Sequence, residues 1–146
     1  MMKIYTIGFT QKTAEQFFTL LKDAGVERLM DIRLHPDSQL SGFAKRMDLH
    51  YFLWQLIQCE YVYEPRLAPS DELLKAYHSN KDWNTYEVGY KQLLKERNLP
   101  QALEKKAFED KKCCLLCSEA EANHCHRRLA AEEIQKHWDN VEIIHL

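Results

Sequence analysis

Glycine and proline are scarce, with four of each in 146 residues. That excludes collagen-like and Gly/Ser-linker architectures and leaves a chain built mostly of regular elements. Internal repeats and low-complexity tracts are missing as well. No apolar run approaches the roughly 18 residues of a spanning helix. The opening Met1-Met2-Lys3-Ile4-Tyr5-Thr6 has no signal-peptide core. A cytoplasmic location with no membrane partner is therefore expected. Charge of one sign is not in excess either: 20 Lys and Arg face 22 Asp and Glu, a formal net charge of −2. This argues against a strongly basic protein that holds nucleic acid through bulk phosphate neutralisation. A local basic patch stays compatible with it.

What is present suffices for one domain spanning residues 1–146. With 45% apolar and 11% aromatic residues, the chain can build a core without disulfide staples. Its five cysteines, Cys59, Cys113, Cys114, Cys117 and Cys125, are odd in number and four crowd into the last quarter. A secreted disulfide scaffold normally carries an even number, spread along a short chain. Clustering points instead to a metal site, a reactive thiol, or small apolar residues in a core strand.

The patterning alternates strands with helices. Lys3 to Phe9 is a β-branched, aromatic run that reads as a strand. Thr13 with Gln16 three residues later is a capping box. Phe17, Leu20, Leu21 and Ala24 fall at i, i+3, i+4 and i+7, one helical stripe ended by Gly25. Glu27 to Arg33 is the next strand, so the start reads as a βαβ unit with a parallel pair. A long loop is expected over Leu34–Met47, followed by a helix capped by Asp48 and running to about Cys59. Tyr61–Tyr63 suggests a short strand. Helices are expected around Ser70–His78, Trp83–Glu96 and Pro100–Asp110, with Pro100 in a first turn. Lys112–Glu119 reads as a strand, His126–Trp138 as a helix and Val141–Leu146 as a last strand. The expected fold class is α/β, a single layered domain with a mostly parallel sheet and helices on its faces.

In open parallel sheets, ligands bind outside the carboxyl ends of the strands. Those ends fall at Gly8-Phe9-Thr10, Asp31-Ile32-Arg33 and Cys117-Ser118-Glu119. Alternation puts Asp31 and Arg33 on one strand face, and Cys117 and Glu119 together on theirs. Charges there are costly to bury unless paired. A structural ion pair from Asp31 to Arg33 or Arg127 and a ligand-binding role both stand open. Downstream, Cys125 and His126 sit at the start of the last helix, where free N–H groups and the dipole favour anions. That setting, with two arginines next to it, predicts a lowered Cys125 thiol pKa. Arg127 is in register with the apolar Ala130, Ala131 and Ile134 and points inward, whereas Arg128 aligns with Glu132.

Three chemical templates compete. A Cys-based phosphatase loop needs an arginine six positions after its cysteine. Counting from Cys125 reaches Ala131 and from Cys117 reaches Asn123, so it fails. A zinc site could draw on Cys114-x-x-Cys117 with Cys125 and His124 or His126. However, only one CxxC is present, and on a regular strand Cys114 and Cys117 face opposite ways. Cys113 and Cys114 fit better as buried small hydrophobes. The third template is nucleophilic or acid–base chemistry on an anionic substrate. Cys117, Glu119, Cys125 and His126 are its candidate catalytic residues, and Thr10, Asp31, Arg33 and Arg127 its candidate binding residues. A helix cap and a satisfied core histidine are the plain alternative for His126. The aromatic stripe Tyr77, Trp83, Tyr86 and Tyr90 reads as helix packing rather than base stacking. His35, Lys45 and Arg46 are candidates for the site's mouth.

These motifs carry a resemblance. Thr6–Thr10 (TIGFT), Asp31-Ile32-Arg33, and the loop from Leu116-Cys117-Ser118-Glu119 to Cys125-His126-Arg127-Arg128 resemble the domain of unknown function 488 family over nearly the whole chain. Phe9 stands where members commonly carry His. The resemblance implies a small α/β domain with shared polar residues at Asp31, Arg33, Cys117, Glu119, Cys125, His126 and Arg127. It supplies no reaction.

The leading expectation is an enzyme-like site for an anionic small molecule, such as a phosphate or nucleotide, or for a nucleic-acid end. No cofactor is required by this reading, with zinc as the minor option. The competing expectation is a non-catalytic module that binds nucleic acid or protein, whose Cys/His cluster is structural or holds zinc.

Overall fold

The computed structural model of the chain describes residues 1–37 and 42–146. Among them, five strands form one sheet: β1 (Met2–Gly8), β2 (Arg28–Asp31), β3 (Glu60–Tyr63), β4 (Cys113–Cys117) and β5 (Val141–His145). All pairings are parallel and the order is β3-β2-β4-β1-β5. The described helices are α1 (Ala14–Ala24), α2 (Arg46–Ile57), α3 (Asp71–Asn80), α4 (Trp83–Glu96), α5 (Lys105–Glu109) and α6 (His126–His137). The fold is thus the layered α/β class that the alternating pattern implied. None of the described helices is long and apolar enough to cross a membrane.

β1 and β2 are parallel but not neighbours, because β4 lies between them. The reason is in β4 itself. Its five residues, Cys-Cys-Leu-Leu-Cys, are all buried, and a strand apolar on both faces belongs in the centre of a parallel sheet. Cys114 and Leu116 pack on one face, with Tyr5, Ile7 and Leu29, against Phe17 and Leu21 of α1 and Leu49 and Leu53 of α2. Cys113 and Leu115 pack on the other face against Tyr86, Tyr90 and Leu94 of α4 and Leu129, Ala130 and Ile134 of α6. Cys59, Cys113 and Cys114 are core residues with no exposure. Burial pushes the Cys59 thiol up to about 12 and that of Cys113 to about 11.

The chain leaving β2 therefore runs to one face of the sheet, and the chain leaving β4 to the other. Divergence between adjacent strands opens a crevice at their carboxyl ends. That crevice positions the site.

Several local expectations shift. The Thr13–Gln16 capping box and the left-handed Gly25 cap (φ 73°) delimit α1 as read. Its buried stripe, however, is Phe17, Phe18 and Leu21, and Leu20 is turned outward at 36% exposure. Phe18 packs edge-on against the rings of Phe43 and Phe52, which rotates the helix toward them. α2 starts at Arg46 with Lys45 as its N-cap, so Asp48 sits inside the first turn rather than capping it. Between α4 and α5, Pro100 lies in a turn closed by Leu103 N–H donating to its carbonyl. Leu99 and Leu103 pin that turn to the core, and the helix begins only at Lys105. Within the expected loop Leu34–Met47, residues 38–41 lie outside the described residues and Gly42–Ala44 form a 3-10 turn.

Candidate functional site

At the carboxyl ends of β2 and β4 lies a cavity of about 650 Å³, a size suited to a small molecule. Cys117, Ser118 and Glu119 from the end of β4 and Cys125 and His126 from the start of α6 line its floor. Arg33, Leu34 and His35 form the wall after β2, and Tyr77, Trp83 and Tyr86 the wall from α3 and α4.

The floor is built around one sulfur. Cys117 Sγ lies 3.3 Å from His126 Nδ1. The other ring nitrogen, Nε2, is 2.7 Å from the carbonyl oxygen of Ile32. A carbonyl only accepts, so Nε2 carries a hydrogen and, in the neutral ring, Nδ1 presents its lone pair to the sulfur. Cys117, Cys125 and His126 are 4%, 2% and 6% exposed. Burial acts to raise the Cys117 thiol pKa. The Cys125 hydrogen bond, the Arg127 charge and the backbone N–H groups of Glu119 and Ser118 outweigh it and hold the thiol below its ordinary value. Cys125 goes the other way, well above the ordinary value, through burial and its hydrogen bond to Cys117. The expected lowering of Cys125 is thus corrected. The helix N-terminus is there, but Cys125 is desolvated beside a second thiol that carries the negative charge more readily.

Arg33 and Asp31 form a buried bidentate pair. Arg33 Nε and Nη2 each lie 2.8 Å from an Asp31 carboxylate oxygen. Tyr61 Oη donates to the same carboxylate at 2.5 Å. Asp31 is fully buried and Arg33 is 2% exposed. The Asp31–Arg33 alternative is therefore the realised ion pair. It does not use the whole guanidinium: Arg33 Nη1 is buried with no hydrogen-bond partner among the described residues. The ring of Phe9 lies under this group, 5.3 Å from the guanidinium carbon.

Arg127 is inward and fully buried, as its helical register implied, yet it does not line the cavity. Its Nε donates to Thr6 Oγ1 at 3.2 Å, its Nη1 to the Glu119 carbonyl and its Nη2 to the Ala120 carbonyl at 3.3 Å. These contacts fix the loop that follows β4. Thr10 serves the same loop, bonding the Ser118 carbonyl through both its backbone N–H and its hydroxyl, at 3.1 and 2.8 Å. A Cβ added at Gly8 would meet the Glu119 carbonyl oxygen at 1.6 Å and Arg127 Nη1 at 2.6 Å, so only glycine allows the approach. Of the eight site residues proposed from sequence, Arg33, Cys117, Glu119, Cys125 and His126 border the cavity. Asp31, Thr10 and Arg127 support them from behind.

His35 lines the mouth, whereas Lys45 and Arg46 do not. Arg46 lies over the Tyr63 ring instead. The aromatic stripe is divided. Tyr90 is fully buried, donating its hydroxyl to the Leu67 carbonyl at 2.8 Å, while Tyr77, Trp83 and Tyr86 form a cavity wall. His124 stacks on Trp83 with ring centroids 5.0 Å apart. The wall role, and those of His78 and Lys81, went unread in the sequence. Helical spacing shows which residues share a face but not which neighbour that face meets.

A parallel α/β sheet with a cavity between diverging strand ends, floored by cysteine and histidine, defines the class of protein. The family model for the domain of unknown function DUF488 matches residues 13–134. The chain belongs to that family. The matched span holds the Asp31–Arg33 pair and the loop from Cys117 to Arg128, while Thr6–Thr10 precedes it. No curated protein and no solved structure matches the chain.

Proposed function

We propose that the cavity is the active site of an enzyme acting on a small phosphate- or carboxylate-bearing substrate. The observation that carries this reading is that Arg33, which lines the cavity together with Cys117, Glu119, Cys125 and His126, has a buried Nη1 with no hydrogen-bond partner among the described residues. Leaving such a donor unsatisfied costs free energy, and an anion entering the cavity supplies the missing acceptor. Asp31 holds the guanidinium in one orientation through two of its other nitrogens, so little rotamer freedom is lost on binding. The Cys117–His126 pair is the reacting centre at the floor, and Glu119 at the rim carries protons. The aromatic wall of Tyr77, Trp83 and Tyr86 encloses the apolar part of the substrate. A volume of about 650 Å³ favours a small molecule over a duplex nucleic acid.

Calorimetric titration with inorganic phosphate and with a nucleoside monophosphate tests this. Saturable binding to the wild-type chain is expected, with affinity at least roughly tenfold weaker in Arg33→Lys, a loss of about 1.4 kcal/mol. That variant keeps a cation beside Asp31 and removes the free Nη1. In the wild-type protein the same titration should shift the guanidinium resonances of Arg33. Binding of neither anion, or binding with those resonances unmoved, overturns the reading.

A further inference from the structure

Cys117, Cys125 and His126 are more than neighbours of a substrate. Their donor atoms all lie within 4.8 Å of one another. We infer that these three side chains bind one divalent transition metal of the zinc type, leaving its fourth coordination position open to the cavity. For a tetrahedral ion with bonds of about 2.3 Å to sulfur and 2.0–2.1 Å to nitrogen, donor separations are roughly 3.5–3.8 Å. The Cys117 Sγ to His126 Nδ1 distance of 3.3 Å needs only a few tenths of an ångström of opening.

The surroundings are those of a ligand set. Histidine ligands are held by a hydrogen bond from their second nitrogen to a carboxylate or carbonyl. His126 Nε2 is bonded to the Ile32 carbonyl at 2.7 Å, which leaves Nδ1 as the coordinating atom. The donors come from the end of a central strand and from the N-cap and first residue of a twelve-residue helix, and all three side chains are buried. Two thiolates and a neutral imidazole cancel the charge of a dication, so the buried centre is neutral overall. Sulfur and imidazole donors select zinc-type ions over magnesium or calcium.

Three protein ligands with one open position is the pattern of catalytic rather than structural zinc. The open position borders the cavity that Arg33 and Glu119 also line. A metal there would polarise a bound anion or acidify a bound water. The Cys114-x-x-Cys117 chelate weighed from the sequence is not the set. Cys114 is fully buried on the opposite sheet face, packed with Tyr5, Phe17 and Leu116. This inference goes beyond the anion-binding reading, puts the metal in place of the Cys117–His126 pair as the reacting centre, and can fail separately, because anion binding stands on Arg33.

The test is metal titration of the full chain, reduced, stripped by chelator and free of any histidine tag. One equivalent of zinc is expected. Cobalt(II) should give tetrahedral visible bands with thiolate-to-cobalt charge transfer, and X-ray absorption of the zinc form should show two sulfur neighbours. Cys117→Ser and Cys125→Ser should each bind zinc at least roughly a hundredfold more weakly and lose part of the charge-transfer intensity. Cys114→Ser should keep the wild-type spectrum. Absence of charge transfer in the wild-type chain, or an equal loss in Cys114→Ser, overturns the inference whatever the folding of the other variants. Phosphate binding that survives in a chain unable to hold zinc would leave the Arg33 reading intact.

Discussion

Arg33 and Arg127 are both buried, at 2% and 0% exposure, and their partners separate their work. Arg33 pairs with a carboxylate and, among the described residues, leaves Nη1 without a partner. Arg127 gives its donors to Thr6 and to two carbonyls of the loop after β4. Sequence periodicity pointed Arg127 inward along its apolar helix face, and put Arg33 on one strand face with Asp31 while leaving ion pairing and ligand binding both open. It had no means of distinguishing a cavity wall from a brace, since that depends on which backbone carbonyls the fold brings within reach. Gly8 belongs to the brace. Gly8→Ala is expected to destabilise the chain by about 3 kcal/mol or more, because the clash is with backbone and a buried guanidinium rather than a flexible tip. Urea denaturation measures this, and a loss under about 1 kcal/mol would show that the loop yields freely.

At the scale of elements, α1 was the most legible part of the chain. Its start is a local hydrogen-bond exchange between Thr13 and Gln16, and its stop needs only glycine's access to positive φ. Neither depends on the rest of the fold. Its inward face was read one residue out of place because Phe18 answers to Phe43 and Phe52, which are distant in sequence. Two substitutions separate these layers of control. Thr13→Ala removes only the cap and should cost about 1 kcal/mol. Phe17→Ala removes a fully buried ring and should cost about 3–5 kcal/mol. Equal losses in parallel urea titrations would contradict this division. The helix expected over Pro100–Asp110 forms but starts late, at Lys105, for the converse reason: Leu99 and Leu103 are drawn into the core as a turn, overriding local preference.

At the scale of the whole molecule, the last strand ties back to the site. Thr6 Oγ1, which accepts from Arg127, lies 2.5 Å from His145 Nδ1 at the end of β5. Burial, and then the Arg127 charge, lower the pKa of His145 from its ordinary value near 6.5. The folded state therefore binds the proton less readily than the unfolded chain. The His145 contribution is complete above about pH 6.5 and declines as pH falls toward the lower folded value. His145→Gln is expected to flatten the dependence of the urea midpoint on pH between about 7 and 5. An unchanged slope would remove His145 from the linkage.

By itself, the sequence determined the α/β class, the single cap-to-cap course of α1, the packing cysteines Cys113 and Cys114, and the strand ends that border the cavity. These follow from periodicity and from the cost of burying polar groups, both of which act along the chain. The tertiary structure decided that β4 separates β1 from β2, that Cys117 rather than Cys125 has the lowered thiol pKa, and that Arg127 braces while Arg33 faces the cavity. Each of these depends on distances between residues far apart in sequence, where desolvation and hydrogen bonding are set by the assembled neighbours.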